Sequence, residues 1–475
     1  MATSASQRIT LTNTGTAPLV ISGITATGDF ADVTDYSVSV LAGGVCHIDV
    51  TFTPLAVGSR TGTISIASNA PGSPHVVTLG GTAVPAVLPR VSALGNQFMA
   101  AGAPIRLKSI NWTGGEGTNY APHALWARSW KSQLDQFKAM GFNCLRFQLS
   151  GDFCANPLIT STAIDPTKNP DVVGLTTLAF LDLIVAYCNT IGMYIVLDHH
   201  RCFASGGTGT DGWPMAGGAT GSYSQAQWIT HWSVLATRYA SSTVVIGADV
   251  HNEPYAIEWA YWAPMVEACG NAILAIAPNW LIFVEGDTNW TGAAYYPTAT
   301  LTSDSIWWGG QLIGAQPGNR PIVLSSPNHV VYAPHEYGTS VSGQTWLATS
   351  SSAPTGWPNN LQPMWRQHWG WAFEQNIAPI WVGEFGGQFG FANATGAANG
   401  NANAPTEIVW LQTLMKYLNG DWNGDGTNHL TGSQLGMSFA YWNDMLSGDT
   451  GSLVIDNDLT TPQSGKLALL TPLIP

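Results

Sequence analysis

The stretch Ala378-Pro-Ile-Trp-Val-Gly-Glu-Phe-Gly-Gly387 decides how the chain is read. An apolar run of strand-forming residues ends in one carboxylate, Glu384, followed by glycines. A carboxylate at the exit of a buried strand is costly unless it is paired or used. A second stretch, Val244-Val-Ile-Gly-Ala-Asp-Val-His-Asn-Glu-Pro254, repeats the pattern. It closes on Glu253, with Asn252 before it and Pro254 after it. One such Glu reads as an ion-pair partner; two, within a strand–helix alternation, read as a pair of acids across one mouth.

That alternation extends in both directions from residue 105 onward. Strands are expected at Ile105–Trp112, Phe142–Phe147, Tyr194–His200, Val244–Glu253, Trp280–Glu285, Val330–Tyr337, the Glu384 run and Met437–Trp442. Between them, apolar residues recur at helical spacing: Trp130, Leu134 and Phe137; Phe180 to Tyr187; Trp228, Trp232, Leu235 and Tyr239 after a Ser224 cap; and Ile408, Leu411, Met415 and Leu418. Gly141, Gly192 and Pro278 mark helix ends. The economical architecture is an α/β fold, a (β/α)8 TIM barrel spanning 91–475, whose site forms at the carboxyl ends of the strands.

Residues 1–85 read differently. Short segments at Ile9–Thr12, Leu19–Ser22, Tyr36–Val40, Cys46–Phe52, Thr61–Ile66 and His75–Leu79 are separated by turn signals. In the fourth, His47, Asp49 and Thr51 fall on one face. This is an all-β immunoglobulin-like sandwich. No row of exposed aromatic residues marks it as a sugar-binding module, so a spacer or stabilising role is expected. Prolines make 86–90 a linker, and a hairpin of Val91–Leu94 with Pro104–Leu107 follows.

Composition sets the outer limits. The chain has 475 residues, 45% apolar and 9% charged, which is globular rather than disordered. A net charge of −13 argues against nucleic acid or an anionic membrane surface as partner. The 21 Trp suit flat apolar sugar faces, though most belong to a core of this size. Six cysteines occur without a CxxC spacing. Cys144 and Cys188 read as buried thiols; Cys154 and Cys202 each follow a strand end and could form a bridge. Met1-Ala-Thr-Ser-Ala-Ser lacks a basic segment and an apolar core, so no signal peptide is visible. No apolar run reaches transmembrane length.

Collecting polar and aromatic residues at the strand ends yields Arg146, His200, Asn252, Glu253, His335, Tyr337, Glu384 and Trp442. Each has an ordinary structural reading taken alone; together they ring one mouth. Two carboxylates so placed are the minimal equipment for cleaving a glycosidic bond. Trp112, Trp290, Trp307 and Trp308 are candidates for further sugar contacts.

The second unit resembles glycoside hydrolase family 5, and within it the bacterial endo-β-1,4-glucanases. His251-Asn-Glu-Pro254 and Val382-Gly-Glu-Phe-Gly386 carry the resemblance most specifically. Leu145-Arg-Phe147, Asp198-His-His-Arg201, Pro334-His-Glu-Tyr-Gly338 and Tyr441-Trp-Asn443 add to it. Leu281-Ile-Phe-Val-Glu-Gly286, Trp307-Trp-Gly-Gly310 and Ser447-Gly-Asp-Thr-Gly451 point to the endoglucanase branch. With Leu11-Thr-Asn-Thr-Gly-Thr-Ala-Pro-Leu19, Val50-Thr-Phe-Thr-Pro54 and Gly80-Gly-Thr-Ala83, the first unit resembles the immunoglobulin-like modules of secreted bacterial enzymes.

The family resemblance implies Glu384 as nucleophile and Glu253 as acid/base, with carboxyl groups about 5 Å apart and retained configuration. Arg146 and Tyr337 would hold Glu384 ionised, and the charge of Glu384 would keep a proton on Glu253. Asn252 would bind the sugar 2-hydroxyl, His200 and His335 would orient the sugar, and Trp442 would lie beneath it. The implied partner is a β-1,4-glucan, the implied location extracellular, the chain a monomer. A mannanase or xyloglucanase is the alternative on the same machinery, and a non-catalytic carbohydrate-binding barrel the alternative of another class. No cofactor or metal is expected. His199, His200 and His251 lack the spacing of a zinc site. Asp421-Trp-Asn-Gly-Asp-Gly426 resembles the start of a calcium loop, but Leu430–Gln434 offers no closing Glu.

Overall fold

The computed structural model describes residues 3–33, 39–55, 58–83, 87–206, 223–254, 257–287, 289–290, 304–305, 308–446 and 450–474. It divides into two compact units, Met1–Val87 and Leu88–Pro475. In the first unit, Gln7–Thr12, Val45–Phe52 and Phe30–Val33 form one antiparallel sheet. Ser39–Val40, Leu19–Ala26, Gly58–Ser68 and His75–Ala83 form the other. Cys46, Ile48 and Val50 point inward to meet Ile21, Ile64 and Ile66. The expected face of His47, Asp49 and Thr51 is the outer one. The sandwich is therefore as expected, with two differences. Phe30–Val33 is a strand absent from the sequence reading, and of Tyr36–Val40 only Ser39–Val40 lies among the described residues.

The second unit is a parallel eight-stranded barrel. Its strands are β1 Lys108–Trp112, β2 Cys144–Ser150, β3 Tyr194–Arg201, β4 Val245–Asp249, β5 Leu281–Val284, β6 Val330–Tyr332, β7 Trp381–Phe385 and β8 Ser438–Tyr441. β8 pairs with both β1 and β7. Bridges Tyr332–Ile380 and His335–Glu384 join β6 to β7, so the sheet closes. Helices Trp130–Ala139, Thr177–Ile191, Gln225–Tyr239, Trp259–Ile276 and Ala404–Leu418 cover the outside, close to the segments the periodicity marks. Ser224 caps the third in a reciprocal capping box with Gln227. Gly192 closes the second in the left-handed region.

Strand alternation produces two apolar layers. Leu107, Cys144, Val196, Ile246, Phe283, Val331, Trp381 and Ala440 fill the barrel interior. Ile110, Trp112, Phe147, Leu197, Val382 and Tyr441 face the helices. The expected hairpin after the linker is a three-stranded meander, Val91–Leu94, Gln97–Ala100 and Ala103–Ile105. Two tight turns fit where one was read, and Val91, Ala93 and Phe98 join the interior cluster as a plug. The six cysteines are all buried thiols, so the Cys154–Cys202 bridge is not formed.

Candidate active site

The interior changes character toward the carboxyl ends of the strands. Arg146 on β2 has no exposed surface, and four carboxylates surround it. Its guanidinium lies 2.6 Å from Glu384, 2.8 Å from Asp249, 3.0 Å from Glu285 and 3.1 Å from Asp198. It also donates to Asn111 and to Oδ1 of Asn252. One cation thereby fixes side chains from six positions around the barrel, at geometry that suits the planar fork of Arg.

Glu384 belongs to β7, and the alternation there is broken. Trp381 points into the barrel and Val382 out, but the register shifts between Val382 and Phe385. Phe385 faces the helices, and the bulge turns Glu384 inward onto Arg146. Tyr337 donates its hydroxyl to Glu384 Oε2 at 2.7 Å. Burial opposes ionisation of Glu384, yet the charges of His335 and Arg146 and the Tyr337 hydrogen bond together hold its carboxyl below the ordinary range.

Glu253 lies four residues beyond β4, at φ +46°, a backbone region that non-glycine residues rarely adopt. Its Oε1 is 3.0 Å from Nδ1 of His335. Burial raises its pKa to about 7; the His335 hydrogen bond opposes this, and the charges of Glu384 and Glu285 add to it. One oxygen of Glu253, one of Glu384 and one nitrogen of His335 all lie within 4.8 Å of one another. Two carboxyl groups at such a distance, one displaced up and one down, can act as proton donor and nucleophile on one bond.

Asn252 accepts from Arg146 through Oδ1, while its buried Nδ2 donates to no protein atom. His200 stacks on Trp442 with ring centroids 5.6 Å apart and shares a hydrogen bond with Asp198. Burial, reinforced by Arg146, lowers the His200 pKa to about 3, so its ring is neutral. Trp442 is half-buried and donates through Nε1 to Thr450.

The eight strand-end residues expected from the sequence thus come together. His335 differs in its surroundings: it is fully buried, with Nδ1 on Glu253 and Nε2 3.2 Å from Glu285. Both nitrogens face carboxylates, so it holds the acids rather than lining an open sugar position. Trp112 is a correction. It has no exposed surface, donates to Gln133 and packs on Phe137 and Phe147. The neighbouring Asn111 takes the inward place, because adjacent strand residues face opposite ways. Trp308 is 38% exposed. Trp307 and the side chain of Trp290 lie outside the described residues.

Sequence reading missed three members of the cluster as site residues. Glu285 ends the apolar run Trp280–Val284, the same signal that singled out Glu384. Asp198 sits in a motif read only for its histidines. Asp249 lies inside an apolar run, where nothing but its charge marks it.

Asp198, Asp249 and Glu285 converge closely enough to hold a cation, and the guanidinium of Arg146 is the cation among them. His199, by contrast, faces outward: Nδ1 meets His251 Nδ1 at 2.9 Å and Nε2 meets the Tyr223 hydroxyl. His200 points the other way, so the three histidines do not form a zinc set. At the expected calcium-like loop, Asp421 accepts from Gly426 and Asp425 from Thr427, a turn closed on its own backbone.

Comparison with known proteins agrees with this geometry. A family model for cellulase (glycosyl hydrolase family 5) matches residues 99–442. The chain belongs to glycosyl hydrolase family 5. An immunoglobulin-like model of the HYDIN/CFA65/VesB type matches residues 1–82. An endoglucanase of Paenibacillus polymyxa is 38% identical over 395 residues, covering 79% of this chain and 85% of that protein. The major extracellular endoglucanase of Xanthomonas campestris pv. campestris is 34% identical over 386 residues, covering 78% of this chain and 68% of that protein. An endocellulase of Pyrococcus horikoshii, solved with cellotetraose, superposes with a TM-score of 0.67 at 28% identity. It covers 82% of this chain and 99% of that one. As a family 5 member, the chain is a glycoside hydrolase.

Proposed function

We propose that the protein is a retaining endo-β-1,4-glucanase acting on internal bonds of cellulose through a covalent glycosyl-enzyme intermediate. The observation that carries this reading is the pair Glu253 and Glu384, facing each other within 4.8 Å with opposite pKa displacements. Glu384, ionised beside Arg146 and Tyr337, attacks the anomeric carbon. Glu253 gives its proton to the departing oxygen. The glycosyl ester removes the charge of Glu384, Glu253 becomes more acidic, and it can then take a proton from water. The unpartnered Nδ2 of Asn252 suits a sugar 2-hydroxyl, and Trp442 with neutral His200 suits a sugar face. The exposed Trp308 is a further contact for the polymer.

The polymer is bound by a monomer outside the cell, in keeping with the printed description of the Xanthomonas relative as extracellular. No helix among the described residues is long and apolar enough to cross a membrane. Residues 1–85 serve as a spacer module joined by 86–90 to the catalytic unit.

A panel of soluble substituted cellulose, mannan and xyloglucan, with reducing ends counted, tests the substrate. Cellulose turnover is expected; turnover of mannan alone would replace this reading with a mannanase. Product anomer by NMR tests the mechanism, and inversion would overturn it. Glu384→Gln is expected to fold as wild type does and lose nearly all turnover. Wild-type rates in that variant would remove Glu384 from its role.

A further inference from the structure

Glu285 takes no part in the two-acid mechanism, yet it touches the proton donor twice. It follows β5 directly, has no exposed surface, and carries two oxygens with different tasks. Oε2 accepts the backbone N–H of Glu253 at 2.7 Å. Oε1 lies 3.2 Å from Nε2 of His335, whose Nδ1 lies 3.0 Å from the Glu253 carboxylate. The three groups form a closed chain: backbone of Glu253, Glu285, His335, carboxylate of Glu253. The backbone contact falls on a residue in the left-handed region, where a non-glycine residue must be held by its surroundings. Gly309 covers the carboxylate from outside, where a Cβ would stand 2.5 Å from Oε2.

We propose that Glu285 is a positioning residue for the acid/base: it fixes the backbone of Glu253 directly, and through His335 it sets the pH range in which Glu253 holds the proton it donates. The inference rests on the reading of Glu253 as acid/base given above. No bond at Glu285 forms or breaks. When Glu253 releases its proton to the glycosidic oxygen, negative charge appears beside His335 Nδ1. Glu285 keeps the imidazole protonated from the opposite side, so that charge meets a hydrogen-bonding cation.

The sign follows from the groups that face the pair. Arg146 comes from β2, Asp198 from β3, Asp249 from β4, His335 and Tyr337 from beyond β6 and Glu384 from β7. The charge of Glu285 raises the proton affinity of Glu253 and of His335 alike. Removing it lowers the affinity of both, so the first proton leaves the Glu253–His335 unit at lower pH whichever member releases it.

Glu285→Gln tests this on two aryl β-cellobiosides. Phenolate needs a proton to leave; dinitrophenolate does not. The variant is expected to lose about tenfold or more in kcat/KM on the phenyl substrate and several-fold less in kcat/KM on the dinitrophenyl substrate, because kcat/KM reports the step that breaks the glycosidic bond and not the later attack of water. Its alkaline limb on the phenyl substrate is expected at lower pH than that of wild type. A folded variant with equal losses on both substrates, or with an unmoved alkaline limb, overturns the proposal. If Glu285→Gln does not fold, Glu285→Asp keeps the charge but is too short to span both contacts. The same inequality of losses is expected, and equal losses overturn the proposal. A wild type inert on both cellobiosides would instead count against the reaction proposed above.

Discussion

Arg146 carries more of the site than either acid. A buried guanidinium among four carboxylates is not a stability device in itself, because desolvating the charges costs about as much as their attraction returns. Removing one side of the arrangement is another matter. Arg146→Met leaves Asp198, Asp249, Glu285 and Glu384 without their common partner. We expect a loss of about 3–5 kcal/mol in denaturant unfolding. The loss should be greater at pH 8 than at pH 5, since the stranded carboxylates can take up protons only on the acid side. An equal loss at both values would mean that the carboxylates are not the groups Arg146 compensates. Sequence made Arg146 legible as a strand-end residue, but not its four-fold pairing, since strands distant along the chain supply the acids.

At the scale of the element, the loop carrying Trp308 and Gly309 matters as much as the strands. Gly309 has φ +76° and lies against Glu285 and His335. Gly309→Ala would place a methyl 2.5 Å from Oε2 of Glu285, too close for contact, in a backbone region that costs an L-residue about 1–2 kcal/mol. A shift of the acids by a fraction of their spacing is costly to catalysis. We expect kcat to fall by about tenfold or more while the variant still folds. Wild-type kcat in a folded Gly309→Ala would show that the loop does not press on the acids. The β7 bulge is the other such feature. Periodicity reads Trp381 to Phe385 as one regular strand, and a regular strand that buries Trp381 inward would turn Glu384 outward. Trp112 drew notice as an aromatic residue closing a strand, but two-residue alternation turns it outward and leaves the inward place to Asn111.

Across the whole molecule, buried titratable groups set how stability responds to pH. Burial raises Glu253 and Glu285 to about 7 and Asp444 to about 8, each above its value in the unfolded chain. His335 is raised as well, by Glu285, Glu384 and Glu253 against the effect of burial. Such groups bind more protons folded than unfolded, so the stability they contribute is present at low pH and lost as pH rises through the folded values. Lys466, lowered by burial to about 7, works the other way. It is one group against several. The buried histidines with lowered values, His199, His200 and His368, oppose the fall only weakly, because their unfolded rings lose most of their remaining protons just above pH 6.5. Between pH 6.5 and 8, Tm should therefore fall, and a rising Tm over that interval would contradict the assignment.

Taken by itself, the sequence determined the two folds and the two acids. Period-two and period-3.6 patterns are local properties of the chain, and a carboxylate ending an apolar run stands out wherever it occurs. Only the tertiary structure decided which face of each strand meets the barrel, and with it the burial of Trp112 and the inward turn of Glu384. It also decided that Asp198, Asp249 and Glu285 share Arg146, and that His335 serves the acids. Those outcomes depend on barrel closure, a bulge and the meeting of distant strands, none of which leaves a mark in neighbouring residues.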